Sequence, residues 1–174
     1  TVAYKTIVKA QQARRRKANA PSVALVDLNR SADPDYLTRC GVDLSDLLII
    51  RPQADKQALH LLLDLVASRQ LRMVLVDSLN DLTHDLALLR QFNNSLERLH
   101  QLLQGTACAL LLVDEPSPPW QRWLNLDSSW AVRQRAALHI ELRREQWLSR
   151  SERLAGYQAQ ATVLKSRWTR NGRT

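Results

Sequence analysis

Acidic and polar residues stand at the ends of three apolar segments of this 174-residue chain. The three groups are Asp27 with Asn29, Asp77 with Ser78, and Asp114 with Glu115. If the segments are parallel strands, these groups lie where ligands of open sheets bind, because loops and helix N-termini converge at the carboxyl ends of the strands. In MVLVDS, Asp77 could hold a magnesium ion through a water, with the Ser78 hydroxyl beside it, as nucleotide hydrolysis requires. An ordinary strand-ending acid is the alternative.

The last third of the chain combines tryptophan with arginine. All five tryptophans lie at or beyond residue 120, and PSPPW opens a predicted Pro- and Trp-rich loop over residues 116–130. The candidate contact residues here are Arg122, Trp123, Arg133 and Arg135. They could contact phosphates and stack on the bases of single-stranded DNA, or form a protein interface, or complete the core. The residues alone leave these three interpretations open.

The net charge of +8 is unevenly distributed. Residues 1–19 carry six Lys and Arg and no acid, and residues 20–119 carry eight bases and thirteen acids. Residues 120–174 carry eleven bases and four acids. Phosphate attraction follows local basic clusters, so a polyanion is expected at the ends of the sequence and not at its middle. An Arg-rich surface that serves only solubility is the alternative.

The elements that must position these residues alternate between strand and helix. Continuous apolar runs predict four strands buried on both faces, at residues 22–27, 46–50, 72–76 and 107–113. Helical patterns lie at residues 2–18, 54–69 and 85–104, and DPDYLTRC predicts a short helix that Gly41 ends. This order predicts a parallel sheet with right-handed crossovers. A short helix at 128–135 and two strands, near ALHIELRR and YQAQATVLKSRW, predict an antiparallel pair at the edge of that sheet.

Length and composition restrict the class of protein. A chain of this size fits one domain with a substantial core, so residues 1–174 are expected to form a single domain. The longest uncharged apolar run, residues 107–113, is far shorter than the roughly 20 residues of a membrane-spanning helix, and no signal-peptide pattern opens the chain. A cytoplasmic protein without a membrane partner is therefore expected. Cys40 and Cys108 lack CxxC or Cys/His spacing, which favours free thiols over a metal site.

The segment VALVDLNRSADPDYLTRCGVDLSDLL resembles the part of bacterial RecA recombinases that follows the nucleotide-binding P-loop helix, and its DPxY and GVDxxxLL motifs are the specific part. QALHLLLDLVASRQLRMVLVDSLNDLT is similar to the family's helix and Walker B strand, and LLQGTACALLLVDE to the helix and strand that end at the nucleotide sensor. RAALHIELRR and QATVLKSRW resemble the strand pair that closes the core. The resemblance implies an α/β, RecA-like P-loop NTPase core: a mainly parallel sheet flanked by helices, with a C-terminal antiparallel extension. It also implies ATP and Mg²⁺ as cofactors.

The sequence departs from the RecA pattern in three ways. The GxxxxGK[ST] loop is missing from the sequence, and Thr1 matches the position just after it, so we expect a trimmed piece of a longer protein or a lost loop. Asn29 matches the glutamate that activates the attacking water in RecA, and an amide cannot accept that proton. Glu115 replaces the glutamine that senses the nucleotide. Impaired hydrolysis is therefore expected, with Asp27 as an acid that is structural or that supports the groups in contact with the ligand.

The resemblance also implies roles in nucleotide binding for four further residues. Asp33 and Tyr36 match the adenine-side turn, where the tyrosine ring stacks on the base. Lys165 and Arg167 match two lysines that reach across a subunit interface to the nucleotide of the neighbour. The residue types allow simpler interpretations: a helix N-cap for Asp33, packing for Tyr36, and a solvated strand face for Lys165 and Arg167.

The predicted function is that of a divergent RecA-like protein of DNA repair, recombination and the SOS response. It is expected to bind nucleotide, and single-stranded DNA or a repair partner, with impaired ATP hydrolysis. Because it lacks these residues, the chain resembles the degenerate RecA relatives that accompany translesion polymerases, the ImuA/SulA-like group, more than a full recombinase. Two alternatives stay open: an active DNA-dependent ATPase whose P-loop lies upstream of Thr1, and a nucleotide-independent protein-interaction module. A protein partner or a second copy is expected at a RecA-like interface.

Overall fold

The computed structural model describes residues 2–13, 22–82, 85–115, 128–150 and 153–168. By backbone contacts the chain divides into two compact units, Thr1–Ser129 and Trp130–Thr174. The first unit contains a parallel sheet and the second a long β-hairpin. The expectation of one RecA-like domain over residues 1–174 stays a prediction. Residues 116–127 of the predicted Pro- and Trp-rich loop lie outside the described residues.

The first unit alternates strands and helices, as predicted. Its four strands, all parallel, are arranged in the order β2-β1-β3-β4. The strands are β1 (Val23–Asp27), β2 (Leu47–Ile50), β3 (Met73–Asp77) and β4 (Ala109–Leu112). The helices are α1 (Val2–Gln12), α2 (Pro34–Arg39), α3 (Asp55–Ala67), α4 (Leu79–Leu82) and α5 (Leu86–Gln104). Among the described residues, none of the helices is long and apolar enough to cross a membrane.

The two central strands are buried because both of their faces are apolar. Every residue of β1 is buried, and in β3 only Asp77 reaches the surface in part. Side chains from neighbouring elements form one core cluster with these strands, including Ile7 of α1 and Leu37 of α2. A strand that is covered on both faces is a continuous run of apolar residues, without alternating polar ones. The sequence predicted these strands from such runs. The parallel α/β fold is confirmed.

The connection between β1 and β2 is held by polar contacts that position its turns. Ser22 donates from its backbone N to Asp46 Oδ1 at 2.8 Å and from its hydroxyl to Oδ2 at 2.6 Å, and both residues are buried. Buried polar groups require such partners. Gly41, after α2, has φ +91°, a conformation that side chains rarely adopt, and it ends the helix as predicted. The bonds between Ser22 and Asp46 thereby hold the start of β2 beside the start of β1, where Val23 pairs with Leu47.

The second unit contains a hairpin and most of the helix that precedes it. Helix α6 (Ser128–Arg135) precedes the antiparallel strands β5 (Leu138–Arg150) and β6 (Arg153–Ser166), which confirms the predicted helix and strand pair. The sequence placed this pair at the edge of the parallel sheet, whereas in the described residues it forms a sheet of its own. Each strand finds its partner directly along the chain, which favours this local pairing.

Candidate nucleotide site at the strand ends

Asp27, the last residue of β1, is a buried acid that organises the turn after the strand. Its side chain is 1% exposed. Oδ1 accepts the backbone N–H of Ser31 at 2.9 Å, and both oxygens lie 3.3 Å from the backbone N of Ala32. Arg51 donates from Nε to Asp27 Oδ2 at 2.8 Å and from Nη2 to the Ala32 carbonyl at 3.0 Å. These bonds, all within the chain, support the structural role expected of Asp27.

Asp77 lies beside Asp27 at the end of the neighbouring strand. The two residues are paired in the parallel register of β1 and β3, and the N–H of Leu28 donates to the Asp77 carbonyl at 3.2 Å. Asp77 and Ser78 are both half-buried, and the peptide bond between them is cis. Unlike the fully buried Asp27, Asp77 is therefore accessible at the edge of the sheet where ligands of such folds bind.

The third strand end lies on the other side of β3. The N–H of Val113 donates to the Val76 carbonyl at 3.1 Å, and the N–H of Leu79 donates to the Val113 carbonyl at 2.7 Å. Asp114 is half-buried and Glu115 is exposed. Since β1, β3 and β4 are adjacent and parallel, the three polar groups predicted from sequence share one edge of the sheet.

The residues at this edge fit a magnesium ion that arrives with a nucleotide. Within the described ranges, no group of three or more His, Cys, Asp and Glu could hold a metal ion. Mg²⁺ in nucleotide sites is typically bound by only one or two carboxylates, because phosphates and retained waters supply its other ligands. The half-buried Asp77, with the Ser78 hydroxyl next to it, matches that requirement. Whether either residue binds Mg²⁺ or nucleotide stays a prediction.

Asn29 is exposed and its side chain supports the turn after β1. Its Oδ1 accepts the backbone N–H of Ser31 at 3.1 Å, so Asn29 and Asp27 share this donor. The next residue, Arg30, has φ +57°, in the left-handed region that turns of this kind use. The amide oxygen is well suited to this local bond but cannot act as a general base. Its assignment to the general-base position stays a prediction.

Asp33 and Tyr36 lie at the start of α2. Asp33 caps the helix, because its Oδ1 accepts the backbone N–H of Asp35 at 2.9 Å. Tyr36 is 38% exposed, and the guanidinium carbon of Arg39 lies 5.9 Å from the centre of its ring. The capping interpretation thus describes Asp33 in this structure. The adenine-side roles of both residues stay predictions.

Tyr4 of α1 is a residue of this site that the sequence analysis missed. Burial, together with the negative charges of Asp77 and Asp27, raises the pKa of its hydroxyl. Its ring packs edge to face on that of Tyr36, with 6.1 Å between the centroids. The phenol is therefore a neutral group beside two acids. A signal was available, since Tyr4 precedes the buried Ile7 by three residues and so lies on the same face of the helix.

In the second unit, Lys165 and Arg167 contact the carbonyl end of α6. Lys165 Nζ donates to the carbonyls of Arg133 at 2.8 Å and Gln134 at 2.7 Å. Arg167 Nη2 donates to the Arg135 carbonyl at 3.2 Å. Cations at this end of a helix satisfy carbonyls that lack helical partners and complement the helix dipole. Within this unit the two side chains thus cap α6, and their reach to a neighbour's nucleotide stays a prediction.

The remaining predicted DNA or partner contacts are described in part. Arg122 and Trp123 lie outside the described residues. Arg133 and Arg135 lie in the last turn of α6, the first half-buried and the second exposed. Burial, followed by the positive charge of Arg133, lowers the pKa of His139 on β5. Arg133 and Arg135, with Lys165 and Arg167 bonded to the carbonyls of the same helix end, place four basic side chains together, and such a cluster attracts anions.

Replacing Lys165 with methionine tests the capping of α6. We expect the free energy of unfolding to fall by about 1 to 2 kcal/mol, because two carbonyls lose a charged donor. Arg143→Met is the matched control, since Arg143 is 71% exposed and forms a surface ion pair with Glu141 at 3.2 Å, whose loss should change stability by less than about 1 kcal/mol. Tryptophan fluorescence during urea unfolding is the appropriate measurement because every tryptophan lies in the last third of the chain. Equal losses for both variants would contradict the capping role.

Comparison with protein families decides which group the chain is part of. Residues 1–110 match the family model described as the RecA N-terminal domain, which is more than half of the chain and includes β1, β2 and β3. The chain belongs to the RecA N-terminal domain family. The resemblance predicted from the DPxY and GVDxxxLL segment is thereby confirmed.

RecA proteins of several bacteria are similar to parts of this RecA-family chain. RecA of Ruegeria pomeroyi is 38% identical over 84 residues, which is 48% of this chain and 24% of that protein. RecA of Rhizobium rhizogenes is 34% identical over 107 residues, 62% of this chain and 28% of that protein. The chain thus spans about a quarter of the length of these curated relatives. The crystal structure of SulA from Pseudomonas aeruginosa has a TM-score of 0.44 and 18% identity, over 66% of this chain and 85% of that one. Assignment to the ImuA/SulA-like group stays a prediction.

Proposed function

We propose that the chain is a divergent RecA-like component of DNA repair or recombination that binds ATP with Mg²⁺ and hydrolyses it poorly. The observation that carries the proposal is the meeting of three acidic strand ends at one edge of a RecA-family sheet. There the buried Asp27 holds the turn while the neighbouring Asp77 is accessible. Asp77 is therefore the strand-end acid available for a magnesium ion that arrives with a nucleotide.

Each residue at the edge has a proposed task. Asp77 would hold the magnesium ion through a water, with the Ser78 hydroxyl beside it, and the ion would neutralise charge on the phosphates. Asp33 and Tyr36 flank the adenine. Asn29 occupies the general-base position without being able to take the proton, so binding is retained while the hydrolysis step is slow.

The proposed setting is the cytoplasm, with a role connected to the SOS response. The basic C-terminal part of the chain, with eleven Lys and Arg against four acids over residues 120–174, supports an anionic or protein partner. Single-stranded DNA is one proposed partner, and a repair protein or a second copy of the chain is the other. DNA held by phosphate contacts should dissociate steeply as salt rises.

The proposal is tested by the effect of ATP and Mg²⁺ on thermal unfolding. Ligand that binds only the folded chain raises its stability, and ATP at ten times its Kd should raise Tm by about 3 to 6 °C in the presence of Mg²⁺. Asp77→Asn should abolish the magnesium-dependent part of the shift. Asp64→Asn is the control, because Asp64 is an exposed acid on α3, and its shift should equal that of the unmodified chain.

A parallel assay of phosphate release separates binding from turnover. A magnesium-dependent shift without release above background would support the proposal. Release at a rate typical of kinase-like or ATPase turnover, about 1 per second or faster, would contradict the impaired step at Asn29. Absence of any shift would contradict nucleotide binding by this chain.

A further inference from the structure

One face of the β5-β6 hairpin is a stripe of exposed apolar side chains, which we call the apolar face. Residues paired across the two strands lie on the same face, and alternate pairs face the same way. The apolar face consists of the pairs Ile140 with Val163, Leu142 with Ala161, Arg144 with Ala159, and Trp147 with Tyr157. Its large apolar residues are 44% to 57% exposed. This is a contiguous surface, not a scatter of single residues, and such patches mark interaction sites.

A β-bulge joins the aromatic part of this face to its aliphatic part. The register shifts between Arg144 and Gln146, so Glu145 is an extra residue on β5. Side chains alternate between the two faces of a strand. Without the extra residue, Trp147 would therefore lie on the other face of the hairpin from Ile140 and Leu142. Bulges commonly re-aim a side chain in this way. The local irregularity therefore enlarges the apolar face instead of interrupting it.

The aromatic end of the apolar face, with the adjacent Arg144, is an ordered cluster of residue types that are enriched in protein interfaces. The guanidinium carbon of Arg144 lies 4.4 Å from the centre of the Trp147 ring. Trp147 meets Tyr157 edge to face, with 6.0 Å between centroids and 80° between planes. Trp, Tyr and Arg supply most hot spots of protein binding, and stacking orders their side chains before a partner arrives.

We propose that the apolar face docks a segment of another protein that carries apolar side chains on both sides of a carboxylate. The apolar side chains of the partner would cover Ile140, Leu142 and Val163 at one end and the aromatic pair at the other. The carboxylate would pair with Arg144, the one charged residue among the four pairs of this face. Docking of this kind does not require nucleotide binding, since none of these residues belongs to the strand-end site.

Charge distinguishes this partner from a second copy of the chain. Residues 130–174 carry ten Lys and Arg and three Glu, so two copies would bring strongly basic surfaces together. Arg144 also lies between the aliphatic and aromatic ends, so a symmetric pair with its two-fold axis at the middle of the face would bring Arg144 against Arg144. Nucleic acid satisfies the positive charge but has no aliphatic surface to cover Ile140 and Val163. An acidic and apolar protein segment satisfies both requirements.

The test uses the whole 174-residue chain and two synthetic amphipathic helical peptides as fluorescent probes. The peptides are identical except for the residue at the centre of their apolar face, which is Glu in one and Lys in the other. Fluorescence anisotropy should show binding of the Glu peptide about tenfold or more tighter than that of the Lys peptide. Arg144→Glu should reverse this preference. Arg143→Glu should retain it, because Arg143 pairs with Gln160 on the opposite face of the hairpin.

Several results would overturn the proposal. If Arg143→Glu and Arg144→Glu lowered the affinity for the Glu peptide equally, the attraction would be due to general charge. If neither peptide bound, the face would not accept such a segment. Sedimentation that reveals a dimer lost on Leu142→Asp would assign the face to a second copy. Binding of a poly-dT oligonucleotide that Arg144→Glu abolishes, with no effect on the peptide, would assign it to nucleic acid. Circular dichroism of each variant verifies that the hairpin remains folded, and the ATP thermal shift reports separately on the strand-end site.

Discussion

Replacing Asp27 with alanine is expected to lower the free energy of unfolding by about 3 kcal/mol. The native carboxylate is 1% exposed and accepts N–H groups from Ser31 and Ala32 while pairing with Arg51. Its removal leaves the buried N–H of Ala32 without that acceptor. The side chain of Arg51 is 43% exposed and can turn to water, so most of the cost arises in the turn. Urea unfolding followed by far-ultraviolet circular dichroism measures the loss.

Two variants define what the Asp27 result means. Asp33→Ala removes an exposed acid with one local bond to Asp35, and should cost only about 1 kcal/mol. Asp27→Asn retains one acceptor oxygen, so its loss of stability should lie between those of Asp27→Ala and Asp33→Ala. If Asp27→Ala costs no more than Asp33→Ala, the buried acid does not organise the turn. A double-mutant cycle with Arg51→Ala would then measure the ion pair itself.

Replacing Ile7 with alanine is expected to cost about 3 kcal/mol, because it opens a cavity between α1 and the sheet. Ile7 is fully buried and belongs to the same core cluster as Val23, Leu25 and Met73. It anchors the helix that carries Tyr4 over the strand-end acids. The same circular dichroism assay applies. A second measurement is the titration of Tyr4 by ultraviolet absorbance, where its raised pKa should fall toward the ordinary value of 10.0 as the helix loosens.

The matched controls for Ile7 lie in the same helix. Val2→Ala truncates a residue that is 51% exposed, and should change stability by less than about 0.5 kcal/mol. Ile7→Val removes a single methylene and should cost about 1 kcal/mol. Similar losses for Ile7→Ala and Val2→Ala would show that α1 is not docked on the sheet, and the position of Tyr4 at the site would lose its support.

The two units suggest different kinds of binding. At the strand ends the polar groups are few, partly buried and arranged around a turn that Asp27 and Arg51 hold. This arrangement suits a small anionic ligand with a metal ion. The apolar face of the hairpin is a stripe of exposed apolar side chains with Arg144 among them, which suits a macromolecule. A chain that binds a small ligand at the strand ends and a protein on the apolar face would couple a RecA-type fold to a protein partner.

Much of the parallel fold was predictable from the sequence because its cause is local. Each central strand is a short, continuous run of Val, Leu and Ile that ends on an acid, and such a run is typical of a strand covered on both faces. The helix stop at Gly41 and the capping position of Asp33 follow from backbone rules that act within a few residues. The adjacency of the strand-end acids also followed, since carboxyl ends of parallel strands share an edge.

Only the tertiary structure decided which residues meet across long stretches of chain. The partner of Asp27 is Arg51, twenty-four residues away, and Lys165 contacts a helix end more than thirty residues before it. The spacing of apolar residues predicts which face of a helix or strand is buried, but not which other element covers that face. The hairpin shows the same limit, because one extra residue at Glu145 reverses the alternation and moves Trp147 to the apolar face. Strand and helix patterns are local properties of this sequence, whereas pairing and register depend on the free energy of the whole fold.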